Sequence, residues 1–354
     1  MLNERSWLGL TLEEMEQAFI SLGEGKFRGR QLADWIYKKG SANWDKITNF
    51  SIDLRQRLAE EGNIGLPRIE LLHESKRDPV WKALVGMDDD AKVECVLMRY
   101  SYGNTTCIST QVGCRMGCSF CASGRDGLVR NLTAGEMIGQ VIALRNIQPE
   151  MRISHIVLMG MGEPLDNLLE VKKMMAIANA SWGLGIGYRH ITLSTCGLVP
   201  QMDDLRKLEL PINLSISLHA PNDQLRSQIM PIAKRYDLQS LMQACRRYVQ
   251  TTRRRITFEY SLMRGFNDQP EHAKELAGLL KGLLAHVNVI PLNQVEGSKW
   301  RRSQTETIRE FAEILQEAGV ETTIRREMGS DILAACGQLR LAEQQGKLQR
   351  EGEL

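Results

Sequence analysis

Residues 114–121 read Cys114-Arg-Met-Gly-Cys118-Ser-Phe-Cys121 and place three thiols in one short loop. A short run rich in β-branched residues ends near Cys107, which predicts a strand leading towards this loop. Thiolates bind metals, and a short loop can bring its sulfurs onto one metal centre. We therefore interpret the three cysteines as metal ligands rather than as buried packing thiols.

Two metal centres compete for this loop. Structural zinc requires four protein ligands, and no His lies nearby in the sequence, so the fourth ligand would have to come from Cys107 or elsewhere. An iron-sulfur cubane held by only three thiolates leaves one iron open, and that iron can bind a small molecule through an amine and a carboxylate. S-adenosylmethionine offers both groups.

The chain beyond the loop alternates between strand and helix patterns. Short β-branched runs recur after Thr105, with helical stretches between most of them, which predicts a parallel sheet curled into a barrel. The fold class is therefore α/β, a partial (β/α)6-type barrel. The predicted strands lie near Cys107, Ile156, Ile191, Leu214, Thr257, Val289 and Thr323.

The first hundred residues follow different patterns. Apolar residues recur at helical spacing in residues 1–65, which predicts a small helical domain. Residues 66–100 alternate around Asp88, Asp89 and Asp90, which predicts a hairpin linking that domain to the core. We assign residues 101–340 to the core barrel and residues 341–354 to a mobile tail.

Composition limits the class of protein. The formal net charge of +2 does not by itself indicate a nucleic-acid binder. The first residues lack a basic patch followed by an apolar run, and eighteen consecutive apolar residues occur nowhere, so we expect a cytoplasmic protein with no membrane partner. In that reducing compartment, eight Cys favour metal binding or catalysis over a disulfide framework.

The cysteine spacing resembles that of the radical S-adenosylmethionine superfamily. More narrowly, the stretch from Cys107 through Cys121 to Arg130-Asn-Leu-Thr-Ala-Gly-Glu136 resembles the RNA adenine methyltransferases RlmN and Cfr. The similarity extends over almost the whole chain, through Gly160-Met-Gly-Glu-Pro-Leu, Ser215-Ile-Ser-Leu-His-Ala and Ala335-Cys-Gly-Gln-Leu-Arg.

The resemblance implies a set of cofactor-binding residues. Cys114, Cys118 and Cys121 would hold a [4Fe-4S] cluster. Residues after successive strands would contact S-adenosylmethionine, although each alone is more often a βα turn, helix-cap or turn residue. These residues are Gly162, Glu163, Ser194, Ser217, Leu218, His219 and Asn293.

The resemblance also implies a two-stage reaction that consumes two S-adenosylmethionine molecules per turnover. Cys336 would take the first methyl group, and a radical derived from the second molecule would activate that methyl for attack on the base. Glu94 would remove a proton, and Cys107 would release the product by forming a disulfide with Cys336. Without the resemblance, Cys336 would be interpreted as a buried packing thiol and Glu94 as an exposed strand carboxylate.

The implied substrates are 23S rRNA at the peptidyl-transferase centre and tRNA 3′ of the anticodon, methylated at adenine C2. The alternatives are a Cfr-type C8 methyltransferase that confers antibiotic resistance and a zinc-stabilised RNA-binding protein. The enzyme would need an electron donor such as flavodoxin or ferredoxin, and a thiol reductant for the disulfide. We expect the N-terminal helical domain to bind RNA, with phosphate contacts from Lys26, Arg28, Arg30, Lys38 and Lys39. Further candidate phosphate contacts in the core are Arg253, Arg254, Arg255, Lys299, Arg301, Arg302, Arg325 and Arg326.

Overall fold

The computed structural model of the chain describes residues 6–293 and 297–332. Ten of the strands in these residues form one open sheet, in the order β1-β2-β3-β4-β7-β8-β9-β10-β11-β12, and β5 and β6 pair separately. The strands are β1 (Arg68–Glu74), β2 (Val80–Gly86), β3 (Lys92–Tyr100), β4 (Gly103–Cys107), β5 (Gln111–Gly113), β6 (Leu128–Asn131), β7 (Ile153–Leu158), β8 (Ile191–Thr195), β9 (Asn213–Ser217), β10 (Ile256–Leu262), β11 (Ala285–Pro291) and β12 (Glu321–Ile324).

The α-helices of the described residues pack mainly through apolar faces. Short 3-10 segments and one π-helical turn lie between them. The helices are α1 (Leu12–Ser21), α2 (Phe27–Ala33), α3 (Ile52–Glu61), α4 (Ala134–Ile147), α5 (Leu168–Asn179), α6 (Val199–Lys207), α7 (Asp223–Ile229), α8 (Leu238–Thr252), α9 (Pro270–Leu280) and α10 (Thr305–Glu317).

The parallel part of the sheet confirms the predicted fold class. β4 and β7 to β12 run parallel to one another, and each connection between neighbours contains at least one α-helix. Six βα units followed by a closing strand are the architecture expected of a partial (β/α)6 barrel. Their carboxyl ends meet at one rim, where barrel enzymes place their functional residues.

The two faces of the parallel sheet differ in polarity. In β9, Leu214 and Ile216 join the apolar core that also contains helix residues. Ser215 and Ser217 point to the opposite face, since successive side chains of a strand alternate. Glu259 of β10 hydrogen-bonds with Ser215 on that face, which makes the inner face of the barrel polar.

Residues 68–100 form an antiparallel extension of this sheet. The predicted hairpin is present as β2 and β3, which pair on either side of the turn at Asp88 to Asp90. β1 adds a third strand at the edge, and β3 pairs with β4. Sequence patterns missed β1, which lacks a strict alternation of apolar and polar residues. They also missed the pair formed by β5 and β6, because both strands are short.

The predicted N-terminal helices are present as α1, α2 and α3. The Thr11 side chain accepts from the Glu14 backbone N–H, and the Glu14 carboxylate accepts from Thr11 N–H, which fixes the start of α1. Arg145 of α4 donates to Tyr37 O at 2.8 Å, so this region packs against the barrel helices. The division into domains at residues 65, 100 and 340 stays a prediction.

Within the described part of the chain, no helix combines the length and the apolar character needed to cross a bilayer.

Candidate active site

The cysteine loop lies between β5 and β6 and is held by backbone hydrogen bonds. Cys114 N–H donates to Gly127 O at 2.8 Å, and Cys121 N–H donates to Cys118 O at 3.0 Å. The loop is also tied to α7, because Ser119 N–H donates to Ile229 O at 2.9 Å. Its three thiols are intermediate in exposure, whereas the other described cysteines are buried.

The three thiols are close enough to influence one another electrostatically. Burial, with a smaller contribution from the nearby Cys121, raises the pKa of Cys114 to about 12. Burial also raises the pKa of Cys118, with added contributions from Cys121 and Cys114. Thiols in such surroundings become thiolates readily only when a metal compensates their charge. This donor set therefore fits a thiolate-bound metal centre.

No group of three or more His, Cys, Asp or Glu side chains in the described residues converges closely enough to hold a single metal ion. A cluster with several irons presents a separate iron to each thiolate, so its ligands need not meet at one point. Cys196 lies behind the loop, where its thiol hydrogen-bonds with Glu163 and is buried.

Gly162 and Glu163 follow β7 at the same rim. Gly162 has a φ of +105°, and a Cβ there would lie 2.8 Å from Gln111 N, so only glycine fits. The Glu163 carboxylate is buried and accepts from Leu165 N–H and Cys196 N–H. This carboxylate therefore joins the ends of β7 and β8, and burial raises its pKa.

The ends of β8 and β9 bring three further predicted residues together. Ser194 Oγ and Ser217 Oγ are 3.4 Å apart. Leu218 is buried, and its N–H donates to Glu259 O on β10.

Asn293 lies two residues after β11, at the corresponding position of a later unit, and is exposed.

His219 is held in a left-handed conformation with a φ of +57°. Its Nδ1 accepts from Ser261 N–H, and its carbonyl accepts from the Asn267 side chain. Burial lowers the pKa of His219 to about 3, so the ring is neutral. The ring contacts Phe120 edge to face at 4.8 Å between centroids, which connects the end of β9 to the cysteine loop.

Glu94 forms a buried ion pair on the antiparallel extension. Its Oε2 lies 2.8 Å from Lys82 Nζ, and the two side chains are 4% and 0% exposed. The alternative interpretation of Glu94 as an exposed strand carboxylate is therefore wrong. The alternation within β3 could not reveal this ion pair, because it depends on the pairing of β3 with β2. Leu84 of β2 lies directly opposite Glu94, and Lys82 is two residues before Leu84 on the same face.

Cys107 lies at the carboxyl end of β4 in a separate apolar cluster with Val80, Val96 and Ile332. Asp331 accepts from the Ser75 hydroxyl at 2.6 Å, which fastens residues 331 and 332 to the antiparallel extension. Cys336 lies outside the described residues, four positions after Ile332.

Two family models match the chain. A radical SAM superfamily model matches residues 108–277, and a model of the ribosomal RNA large subunit methyltransferase N-terminal domain matches residues 6–64. A radical SAM methyltransferase from Sphaerobacter thermophilus has a similar crystal structure, with a TM-score of 0.91 and 42% identity over 94% of this chain and 98% of that chain.

Curated relatives cover nearly the whole chain. A probable dual-specificity RNA methyltransferase RlmN from Clostridium perfringens is 50% identical over 94% of this chain and 96% of its own. One from Alkaliphilus oremlandii, with the same name, is 53% identical over the same shares. The chain belongs to the RlmN family.

In this RlmN family member, several residues at the rim escaped the sequence analysis. Gln111 accepts from Glu163 N–H and donates to Asp166, and Arg115 of the cysteine loop forms an ion pair with Asp166 at 2.8 Å. Lys82 could have been noticed as a lone charge in an apolar strand. Arg226 carries no comparable sequence signal, because it lies among polar residues in the short helix α7, where an arginine is expected to be exposed.

Proposed function

We propose that this RlmN family member methylates C2 of adenine in 23S rRNA and tRNA through a methylated Cys336. Cys114, Cys118 and Cys121 hold the [4Fe-4S] cluster, and the ends of β7, β8, β9 and β11 bind S-adenosylmethionine. When bound, the cluster and S-adenosylmethionine supply a deoxyadenosyl radical. The names of the curated relatives support RNA as the substrate.

The observation that carries the methyl relay is the position of Cys107 against Ile332. Cys336 is four positions after Ile332 in the sequence, and four steps along the chain span at most about 14 Å. Cys336 accordingly has a short tether to Cys107. Such a tether favours formation of a disulfide between the two sulfurs, since the loop to be closed is short.

Each residue has a distinct task in this proposal. Cys336 receives a methyl group from one S-adenosylmethionine and carries it to the base; a second molecule is consumed in activating it. Glu94, whose carboxylate lies 2.8 Å from the Lys82 ammonium, accepts the adenine C2 proton. The Cys107 thiolate attacks the Cys336 sulfur, which releases the RNA and leaves a disulfide for a thiol reductant to reopen.

The test is mass spectrometry of nucleosides from rRNA and tRNA treated with the reconstituted enzyme. We expect 2-methyladenosine as the product, Cys336→Ala to abolish methylation while S-adenosylmethionine cleavage continues, and Cys107→Ala to stall with RNA covalently attached. Cys245→Ala is the matched control, because Cys245 is a buried thiol on α8.

Three results would contradict the proposal. A main product of 8-methyladenosine would assign the Cfr-type activity instead. Full turnover by Cys336→Ala would exclude the methyl relay. Anaerobic purification with stoichiometric zinc and no iron would support the RNA-binding protein that the sequence left open.

A further inference from the structure

Arg226 is a buried cation at the rim of the barrel. It lies on α7 and is 1% exposed. None of the ion pairs found in the described residues includes Arg226. Its hydrogen bonds go to backbone carbonyls: Nη2 donates to Cys196 O at 2.7 Å and to Ser217 O at 3.4 Å, and Nε donates to Leu218 O at 3.2 Å.

These carbonyls belong to two neighbouring strand ends. Cys196 follows β8, whereas Ser217 ends β9 and Leu218 follows it. One planar guanidinium with several donors can bridge both ends at fixed geometry, which a lysine ammonium on a flexible stem does less well. Arg226 therefore fixes the spacing of the segments that carry Ser194 and Ser217.

The same helix contacts the cysteine loop. Ile229, the last residue of α7, accepts the Ser119 N–H bond, and Ser119 directly follows Cys118. The guanidinium also interacts electrostatically with the Cys118 thiol. Pro231, just beyond α7, lies alongside Gly117 of the loop. The buried charge thus lies behind the position where three thiolates would hold a cluster.

A buried cation is costly unless nearby negative charge compensates it. Within the described residues, Arg226 hydrogen-bonds only to backbone carbonyls, and the carboxylate of Asp223 on the same helix supplies part of the compensating charge without a direct ion pair. A three-thiolate cluster is anionic, and its reduction adds one more negative charge. The net charge around an iron-sulfur cluster is one of the factors that set its reduction potential. A positive charge fixed behind Cys118 would stabilise the reduced cluster more than the oxidised one.

We propose that Arg226 is a positioning residue with two effects: it holds the ends of β8 and β9 in register for S-adenosylmethionine, and its charge raises the reduction potential of the cluster. This inference rests on the proposed cluster, because without one the charge has nothing to tune. Both effects act through other groups, and Arg226 touches no reacting atom.

The test is a redox titration followed by electron paramagnetic resonance, on wild type, Arg226→Lys and Arg226→Gln, with S-adenosylmethionine affinity measured by calorimetry. For Arg226→Gln, which loses the charge, we expect the ratio of reduced to oxidised cluster at a fixed potential to fall about tenfold, a shift of about 59 mV to lower potential. Arg226→Lys keeps the charge, so its potential stays near that of wild type. Both variants bind S-adenosylmethionine more weakly.

The matched control is Arg247→Gln on α8, because Arg247 is paired with Asp203 on the surface. It should change neither quantity. Arg226→Gln with a full cluster and the wild-type potential would overturn the charge effect. If that variant fails to fold, wild-type affinity in a folded Arg226→Lys would overturn the bridging effect. Wild-type protein that takes up no iron would instead refute the proposed function.

Discussion

At the scale of single residues, the site depends on charged and titratable groups that are buried. Lys82 and Glu94 lie close together with almost no exposure to solvent. Removing one partner of a buried ion pair leaves an uncompensated charge, whereas removing both leaves none. The two side chains should therefore behave as a unit in stability measurements.

We predict that Lys82→Met lowers the free energy of unfolding by about 3 kcal/mol, since it removes the positive charge beside the buried Glu94 carboxylate. The double variant Lys82→Met/Glu94→Gln should recover most of that loss. Chemical denaturation of all four proteins in a double-mutant cycle provides the measurement. Additive losses in the double variant would show that the pair is not coupled.

His219 predicts a pH dependence of stability. Its folded pKa of about 3 lies below the ordinary value of 6.5, so the unfolded chain binds a proton that the folded protein excludes. The stabilisation is complete above pH 6.5 and is lost as the pH falls towards 3. Between pH 7 and pH 5 the loss from this group should be about 2 kcal/mol.

The check is a comparison with His219→Asn. Asparagine tolerates positive φ and offers an oxygen that can accept from Ser261 N–H, but it does not titrate. Measured by thermal unfolding, this variant should lose less stability than wild type when the pH is lowered from 7 to 5. Parallel pH profiles for the two proteins would contradict the assignment of a neutral, buried ring.

Sequence reasoning located most of these residues but not their partners. The strand patterns placed Gly162, Glu163, Ser194 and Ser217 at strand ends, and the structure brings the last two within 3.4 Å. The sequence patterns could not identify Arg226 or Lys82, because the roles of these two residues depend on contacts between strands and helices that are distant in sequence. Burial of a charge is a tertiary property, and no local pattern reports it.

At the scale of elements, the rim is built by close backbone approach between strand ends. The β7 end lies against the segment after β4, with Met161 O accepting from Thr110 N–H at 2.8 Å. A Cβ on Gly162 would lie 2.6 Å from Gln111 Cβ. Any side chain at this position must push the two strand ends apart.

We predict that Gly162→Ala weakens S-adenosylmethionine binding more than tenfold and destabilises the fold. The control is Gly282→Ala, which also has a positive φ but has open space around its Cβ, so it should cost only about 1 kcal/mol of conformational strain. Calorimetry and thermal unfolding measure the two quantities. Equal effects of the two substitutions would mean that crowding at Gly162 is unimportant.

The elements that sequence analysis missed have a common physical cause. β5 has three residues, and β6 is a four-residue strand in which every residue is at least partly exposed, so neither shows a hydrophobic period. β1 is mostly exposed at the sheet edge, and its pattern resembles that of a polar loop. The seven parallel strands were found because they are β-branched runs that alternate with helices: each of the first six is separated from the next by at least one α-helix.

At the scale of the whole molecule, the N-terminal helices offer a basic surface beside the barrel. Lys26 and Arg30 are exposed, and Lys39 lies over the Trp35 ring at 3.6 Å. Exposed cations near an aromatic ring are typical of surfaces that bind RNA phosphates and bases. The RNA-binding role of this region is a prediction that only substitutions can test.

We predict that Lys26→Glu combined with Arg30→Glu weakens RNA binding and reduces the slope of log affinity against log salt by roughly one to two. S-adenosylmethionine cleavage should stay unchanged. The control is Lys281→Glu, an exposed lysine after α9 at the opposite rim of the barrel. If the control and the double variant bind RNA equally well across salt concentrations, the basic surface is not the RNA site.

The central claim is that three thiolates hold a cluster and leave one iron for S-adenosylmethionine. Electron-nuclear double resonance on the reduced, anaerobic enzyme tests it most directly, using S-adenosylmethionine labelled with ¹⁵N at the amine and ¹⁷O at the carboxylate. The account predicts hyperfine coupling of both labels to the cluster. A reconstituted cluster that shows no coupling to either label, because protein atoms ligate every iron, would contradict it.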